Sequence, residues 1–231
     1  VFAALFETAE TWLRSKGMHT IQGPFNLSIN DECGLLVEGF NLPPSIMMGH
    51  ARPYYATHVE RRGYTKAKDL VAYRMHPDFP MTATMEKIAA RSTRARQGQF
   101  TLRLLRRDQI VDEIELLRDI FNDAWQDNWG FIPFTSAEFK EIGTMLKYLV
   151  DKDFILVGEI DGKPVSFIVC LPNINESISD LNGRLFPFGW AKLLWRLKVR
   201  HPKSVRVALM GIRKPYQRGL TGSGIALAMI E

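Results

Sequence analysis

The C-terminal stretch, residues 205–231, constrains the fold more than any other part of this sequence. The β-branched and apolar run Val205–Ile212 predicts a buried strand, and a basic turn with Pro215 follows it. Three glycines within residues 219–224 then open a helix rich in Ala, Leu, Ile and Met. Glycines let a ligand approach the backbone closely, and the free N–H groups of a first helical turn bind anions. The stretch therefore predicts a site for a ligand that carries phosphate.

Two common phosphate-binding patterns do not fit this stretch. A P-loop needs a Lys–Ser/Thr pair after its last glycine, whereas Ile and Ala follow Gly224. A Rossmann fingerprint needs an acidic residue about 20 residues further on within a βαβ unit, which is beyond the last residue of the sequence. The stretch resembles the acyl-CoA loop of the GNAT acyltransferases, whose pattern after the central strand is Gln/Arg-x-x-Gly-x-Gly/Ala. Gly222-Ser223-Gly224 supplies the second half of that pattern, and Arg218 lies one place further from Gly222 than the pattern has it.

Composition is that of an ordinary globular protein. The 231 residues are 46% hydrophobic and 11% aromatic, enough for the core of one large domain or two small ones. Cys33 and Cys170 lie far apart among apolar residues, which favours packed thiols over a disulfide or a metal site and indicates a reducing cytoplasm. The sequence starts without Met and ends inside a predicted helix, so we expect a fragment of a longer protein.

Positive charge is concentrated near the C-terminus. The formal net charge is +5, and residues 181–230 contain ten Lys and Arg but no Asp or Glu. This predicts an electropositive surface for an anion. Nucleotide phosphates, lipid head groups and nucleic acid all have the required charge, and the neighbouring glycines favour nucleotide phosphates.

The predicted elements of residues 99–231 follow a recognisable order. A strand begins at Phe100, a helix covers residues 110–125, and Thr135 with Glu138 forms a capping box for a second helix. A hairpin turns at residues 161–163 and leads through a helix at 188–199 to the strand and glycines described above. This order resembles the GNAT core up to its third helix. The resemblance implies an α/β (α+β) fold, a mixed and mostly antiparallel sheet flanked by helices, without its last strands.

Residues 1–76 resemble the later half of a similar domain. Apolar residues at helical spacing predict a helix at 2–16, and further patterns predict strands at 18–22 and 70–75 and a helix near 54–62. Residues 77–98 change to Pro, Thr, Ala and basic residues, which is typical of a linker or of a helix between domains. We therefore expect two incomplete tandem units, 1–76 and 99–231, joined by residues 77–98.

The resemblance implies that acetyl-CoA or a longer acyl-CoA is the co-substrate. In the family, free main-chain N–H groups of the splayed central strand bind the pantetheine and the acyl carbonyl, and the loop amides bind the pyrophosphate. Lys214 would lie near the pyrophosphate with the neighbouring arginine. Carried onto this sequence, the donor-binding residues are Leu209, Met210, Gly211, Ile212, Arg213, Arg218, Gly219, Thr221, Gly222, Ser223 and Gly224.

The sequence assigns no catalytic acid or base. Residues 127–129, Asp-Asn-Trp, lie where acceptors approach in the family, but a turn is the simpler interpretation. The Tyr54-Tyr55 pair, His50 and His58 are better explained by packing or solvation than by catalysis. The helix at 188–199 combines Phe, Trp and Leu with Lys and Arg, which is typical either of a core helix with a basic edge or of a helix on an anionic membrane.

The sequence thus predicts an acyl-CoA-dependent N-acyltransferase that acts on a small-molecule or lipid-like amine. Two alternatives stay open at this point. One is an aminoacyl-tRNA-dependent transferase, because that class also pairs two GNAT-like domains. The other is a non-catalytic GNAT-like domain that binds an anionic ligand or a membrane.

Overall fold

The computed structural model of the chain describes residues 1–76, 78–95, 100–149 and 152–230. The chain forms two compact units, Val1–Tyr73 and Arg74–Glu231. Each unit is described by itself below. Residues 77 and 96–98 of the predicted linker lie outside the described residues. None of the helices within the described ranges is long and apolar enough to cross a membrane.

The first unit contains two helices, α1 (Phe2–Ser15) and α2 (Tyr54–Glu60), and much irregular chain. An aromatic cluster holds the helices together: the ring of Phe2 stacks on that of Phe6 at 4.7 Å and meets the His58 ring at 5.1 Å. The strands predicted at 18–22 and 70–75 are absent, and these residues are largely exposed and irregular. A strand needs a partner for its hydrogen bonds. No described strand pairs with either stretch, so the apolar pattern alone predicts the wrong structure there.

The second unit is built on one antiparallel sheet. Four strands pair in the order β1-β2-β3-β4, and all neighbours are antiparallel. A π-helical turn at Arg196–Arg200 continues the helix that precedes the last strand. This arrangement confirms the predicted α/β (α+β) class and the mostly antiparallel sheet. The elements in order are α3 (Ala83–Ala95), β1 (Phe100–Leu104), α4 (Ile110–Trp125), α5 (Ser136–Leu149), β2 (Ile155–Ile160), β3 (Lys163–Pro172), α6 (Ile174–Ile178), α7 (Gly189–Trp195), β4 (Val205–Ile212) and α8 (Gly219–Ile230).

Local chemistry fixes several of these boundaries. The Glu138 carboxylate accepts hydrogen bonds from the Thr135 N–H at 2.9 Å and hydroxyl at 2.7 Å, while the Glu138 N–H donates to the Thr135 hydroxyl at 3.2 Å. These bonds confirm the predicted capping box at the start of α5. Between β2 and β3, Asp161 and Gly162 have φ values of 50° and 73°, as a two-residue hairpin turn that matches the strand twist requires.

Helices cover both faces of the sheet. On one face, Val165 and Ile168 of β3 pack with Ile225 and Met229 of α8, and α8 also packs against α3. On the other face α4 packs on β3 and β4 and against α5. Within the predicted linker, residues Ala83–Ala95 thus form a helix, α3, that packs within the second unit. The interpretation of the two units as incomplete tandem domains stays a prediction.

Candidate functional site

The outer edge of β4 is the first component of the site. β4 pairs with β3 on one side, and no described strand pairs with its other side. The Arg213 N–H donates to the Val165 carbonyl at 2.8 Å, just beyond the paired residues of the two strands. Peptide groups alternate in direction along an antiparallel strand, so those of Leu209 and Gly211 also face β3. Those of Met210 and Ile212 face the outer edge.

Two side chains bond to carbonyls on this outer edge. The Trp125 indole N–H donates to the Met210 carbonyl at 2.8 Å. The Gln217 side-chain amide donates to the Ile212 carbonyl at 2.7 Å and to the Ala124 carbonyl, at the end of α4, at 2.9 Å. The carbonyls at this end of the edge therefore have partners from the protein, while the N–H groups of Met210 and Ile212 face the side where no described strand pairs with β4.

Gly211 has a packing role in this arrangement. A Cβ at this position would lie 2.8 Å from the Phe167 ring and 3.4 Å from the Ala124 Cβ. Because the first distance is shorter than real Cβ contacts, only glycine lets the ring and the end of α4 approach β4 this closely. The backbone of Gly211 faces β3, so the residue shapes the site rather than offering a donor to it.

The glycine stretch is helical to a greater extent than the sequence pattern predicts. A short 3₁₀ turn, Lys214–Tyr216, reverses the chain, and Gly219 at φ 68° leads directly into α8. Gly222, Ser223 and Gly224 consequently lie within the helix instead of in a loop before it. Gly222 is buried, and a Cβ there would overlap the Gln217 carbonyl. The N–H groups that lack partners within an α-helix are those of its first turn, which here begins at Gly219 and includes Thr221.

Acidic side chains of α4 and of the turn that follows it bind two of the predicted phosphate-binding cations. Arg213 pairs with Asp119 at 2.6 Å and Lys214 with Asp127 at 2.5 Å. The Lys214 N–H also donates to Asp123 at 2.9 Å. Asp119 and Asp123 are four residues apart and so lie along one side of α4, and Asp127 follows after the same interval in the turn just beyond the helix. That spacing was readable in the sequence, but nothing in it indicated that the turn after β4 would be the partner.

Arg218 differs from these two cations. It is exposed and makes no hydrogen bond or ion pair with any part of the chain that the structure describes. It lies immediately before the first residue of α8, where an anion would also meet the positive end of the helix dipole. Among Arg213, Lys214 and Arg218, it is therefore the residue with a charge to offer a ligand.

The basic C-terminal tract is partly neutralised by acids that precede it in the sequence. Asp180 binds Lys192 at 2.6 Å and Arg196 at 2.5 Å. Hydrogen bonds from Arg196 and then from Lys192 hold the pKa of Asp180 far below its ordinary value. Counting charge within residues 181–230 alone thus overstates the positive field at this surface.

Asn128 and the Tyr54-Tyr55 pair, which the sequence also singles out, take part in a turn and in aromatic packing, respectively. The Asn128 N–H donates to the Trp125 carbonyl at 2.8 Å, and the Phe131 N–H donates to the Asn128 carbonyl at 3.1 Å, which makes this segment a turn. In the first unit, the rings of Tyr54 and Tyr55 meet edge to face at 4.8 Å. These contacts give Asn128 a structural role in a turn and the two tyrosines a structural role in the aromatic packing of the first unit.

Two proteins resemble the chain over its whole length. It is 52% identical over 232 aligned residues to a protein of Escherichia coli (strain K12) named YghO. It is 46% identical over 232 aligned residues to a bacterial ceramide synthase of Caulobacter vibrioides (strain NA1000 / CB15N). The chain spans 58% of the first relative and 59% of the second. No protein-family model matches the sequence.

Proposed function

We propose that the chain is part of an acyltransferase that moves an acyl group from an acyl-CoA thioester to a lipid-like amine. Its similarity to a bacterial ceramide synthase supports both the reaction and the acceptor class. A ceramide is the amide of a fatty acid and a long-chain amino alcohol, so its formation by acyl transfer joins a fatty acyl donor to an amine. The sequence pattern of β4 and α8 supports the same donor independently.

The main support for the proposal is that two sets of backbone N–H groups follow one another along the chain, the first on β4 and the second at the start of α8. The N–H groups of Met210 and Ile212 face the edge of β4 with which no described strand pairs, and the first turn of α8 starts at Gly219. An extended thioester arm along the edge would bond to the first set. The pyrophosphate would bind the second set together with Arg218. Leu209 and Gly211 would then hold the strand in place, and Arg213 and Lys214 would fasten the turn to α4.

The reaction balances without a redox step. The amine nitrogen attacks the thioester carbonyl and forms a C–N bond, and the tetrahedral intermediate carries its negative charge on the former carbonyl oxygen. An N–H group on the β4 edge would stabilise that oxyanion, a contribution worth about 10²–10³-fold in rate where it has been measured in other enzymes. The C–S bond then breaks to release the CoA thiolate, and the nitrogen loses one proton to a base that we do not assign.

Titration of the full-length protein with CoA, acetyl-CoA and palmitoyl-CoA tests the proposal. We expect calorimetric binding of all three through the shared pyrophosphate and tighter binding of the long-chain donor. Arg218→Ala should weaken all three about tenfold, the size expected for one charge-assisted contact. Arg107→Ala removes an exposed arginine outside the site and serves as the control. Absence of binding by every acyl-CoA, with tight and salt-dependent tRNA binding, would favour the tRNA-dependent alternative instead.

A further inference from the structure

An aromatic patch projects from the segment between β3 and β4. Phe186 and Phe188 are 82% and 77% exposed, and the other members are about half exposed. All of them lie within residues 186–195, and an exposed concentration of large apolar side chains marks an interaction surface. We define the aromatic patch as Phe186, Phe188, Trp190, Leu194 and Trp195.

The patch is held outward by a polar clamp. Lys192 and Arg196 lie four residues apart on one side of the helical segment, and both bind Asp180. Arg196 also donates to the Ser177 carbonyl at 2.7 Å, which ties the segment to α6. At the helical repeat of 3.6 residues, Trp190 and Leu194 lie opposite this clamped side. The clamp therefore binds the polar side of this helical segment to Asp180 and leaves the side with Trp190 and Leu194 exposed.

Cations flank the patch in the sequence. Arg184 and Arg200 are exposed, and neither forms an ion pair with a described residue. No Asp or Glu occurs in the sequence from residue 181 to residue 230, and the preceding Asp180 is already bound by two cations. A partner that covers the aromatic patch must therefore also accept positive charge.

We propose that the aromatic patch docks on an anionic lipid bilayer. Phe, Trp and Leu beside Lys and Arg are the combination that seats a segment in the interfacial layer, where aromatic rings bury and cations meet lipid phosphates. A second copy of the chain is a poorer occupant, because it would bring its own arginines against Arg184 and Arg200. This docking does not depend on acyl transfer, and it is measured without any acyl-CoA.

Vesicle flotation of the full-length protein tests this proposal. We expect flotation with vesicles of phosphatidylcholine and phosphatidylglycerol, and much less with phosphatidylcholine alone. Phe186→Ser with Phe188→Ser should reduce the bound fraction about tenfold or more, since each ring contributes buried apolar area. Phe79→Ser removes an exposed ring in another segment and should float like the parent protein. Unchanged thermal unfolding of both variants in solution shows that the rings act on docking and not on folding.

A second measurement locates the contact. Lipids brominated along their acyl chains should quench tryptophan fluorescence, and Trp190→Phe with Trp195→Phe should lose most of that quenching while it still floats. Retained quenching in this variant would overturn the assignment of the surface. The proposal would also be overturned if the parent protein failed to float with anionic vesicles, or if the Phe186→Ser/Phe188→Ser variant floated normally and changed the oligomeric mass in light scattering instead.

Discussion

The indole N–H of Trp125, at the last residue of α4, donates a 2.8 Å hydrogen bond to the Met210 carbonyl on the outer edge of β4. This bond joins a helix end to a strand 85 residues further along the chain. It satisfies a carbonyl that an edge strand otherwise presents to solvent or to another chain. The N–H groups of Met210 and Ile212 face the same edge, with which no described strand pairs.

Trp125→Phe should keep the ring contact with Phe121, which lies at 5.7 Å, and remove the indole donor. We expect a loss of about 1 kcal/mol in the free energy of unfolding, the usual net contribution of one hydrogen bond. Denaturant unfolding measures this loss. Trp12→Phe changes a tryptophan whose indole N–H has no hydrogen bond among the described residues, and it should have little effect. Equal stability of Trp125→Phe and the parent protein would show that solvent replaces the bond without cost.

The sequence correctly predicts those parts of the fold that depend on residues close together in the chain. The predicted helix at 110–125 coincides with α4, and the capping box at Thr135 is observed, because amphipathic spacing and caps act within a few residues. The strands predicted at 18–22 and 70–75 are wrong, because strand formation needs a partner elsewhere in the chain. The ion pair between Asp119 and Arg213 could not be predicted from the sequence pattern either, because 94 residues separate the two side chains.

Arg213 and Arg218 should respond differently to the same substitution. Arg213→Gln breaks the ion pair with Asp119 and the 3.2 Å bond to the Pro164 carbonyl. Because Asp119 is well exposed, we expect at most about 1 kcal/mol of lost stability. Arg218→Gln should leave the melting temperature unchanged and weaken acyl-CoA binding. Thermal unfolding and calorimetry on both variants check this division, and the reverse pattern would assign the pyrophosphate contact to Arg213.

The ion pairs by which Arg103 links β1 to α4 and β2 should be a major determinant of stability. Arg103 donates to Glu113 at 2.6 and 2.8 Å and to Glu159 on β2 at 2.6 Å, and the Glu113 side chain is only 5% exposed. Arg103→Met removes the cation that bridges these two carboxylates and leaves the more distant Arg106 side chain, 3.9 Å from Glu159, as a weaker partner. We expect a loss of about 3 kcal/mol or more in the free energy of unfolding, as for other buried pairs that lose one partner.

Arg118→Met is the matched control for the Arg103 substitution. It removes an arginine from an ion pair with Glu115 that is three residues away on the same helix and more exposed than the Arg103 pair. Its cost should be below about 1 kcal/mol in denaturant unfolding. If both variants lost the same stability, the Arg103 ion pairs would be no stronger than a surface pair.

The clamp behind the aromatic patch should weaken in acid. Arg196 and Lys192 lower the pKa of Asp180 in the folded protein, so the carboxylate stabilises the fold above its ordinary pKa of about 3.9. Because the pKa of Asp180 is lower in the folded than in the unfolded protein, this stabilisation is lost as the pH falls from the ordinary pKa towards the pKa of the folded state. The difference in melting temperature between the parent protein and Asp180→Asn should thus be largest near neutral pH and shrink below about pH 4. Asp161→Asn, at the exposed hairpin turn, is the matched control and should leave the melting temperature near neutral pH almost unchanged. A difference between the parent protein and Asp180→Asn that stays constant down to pH 2 would show that the clamp acts through its geometry and not through the charge of Asp180.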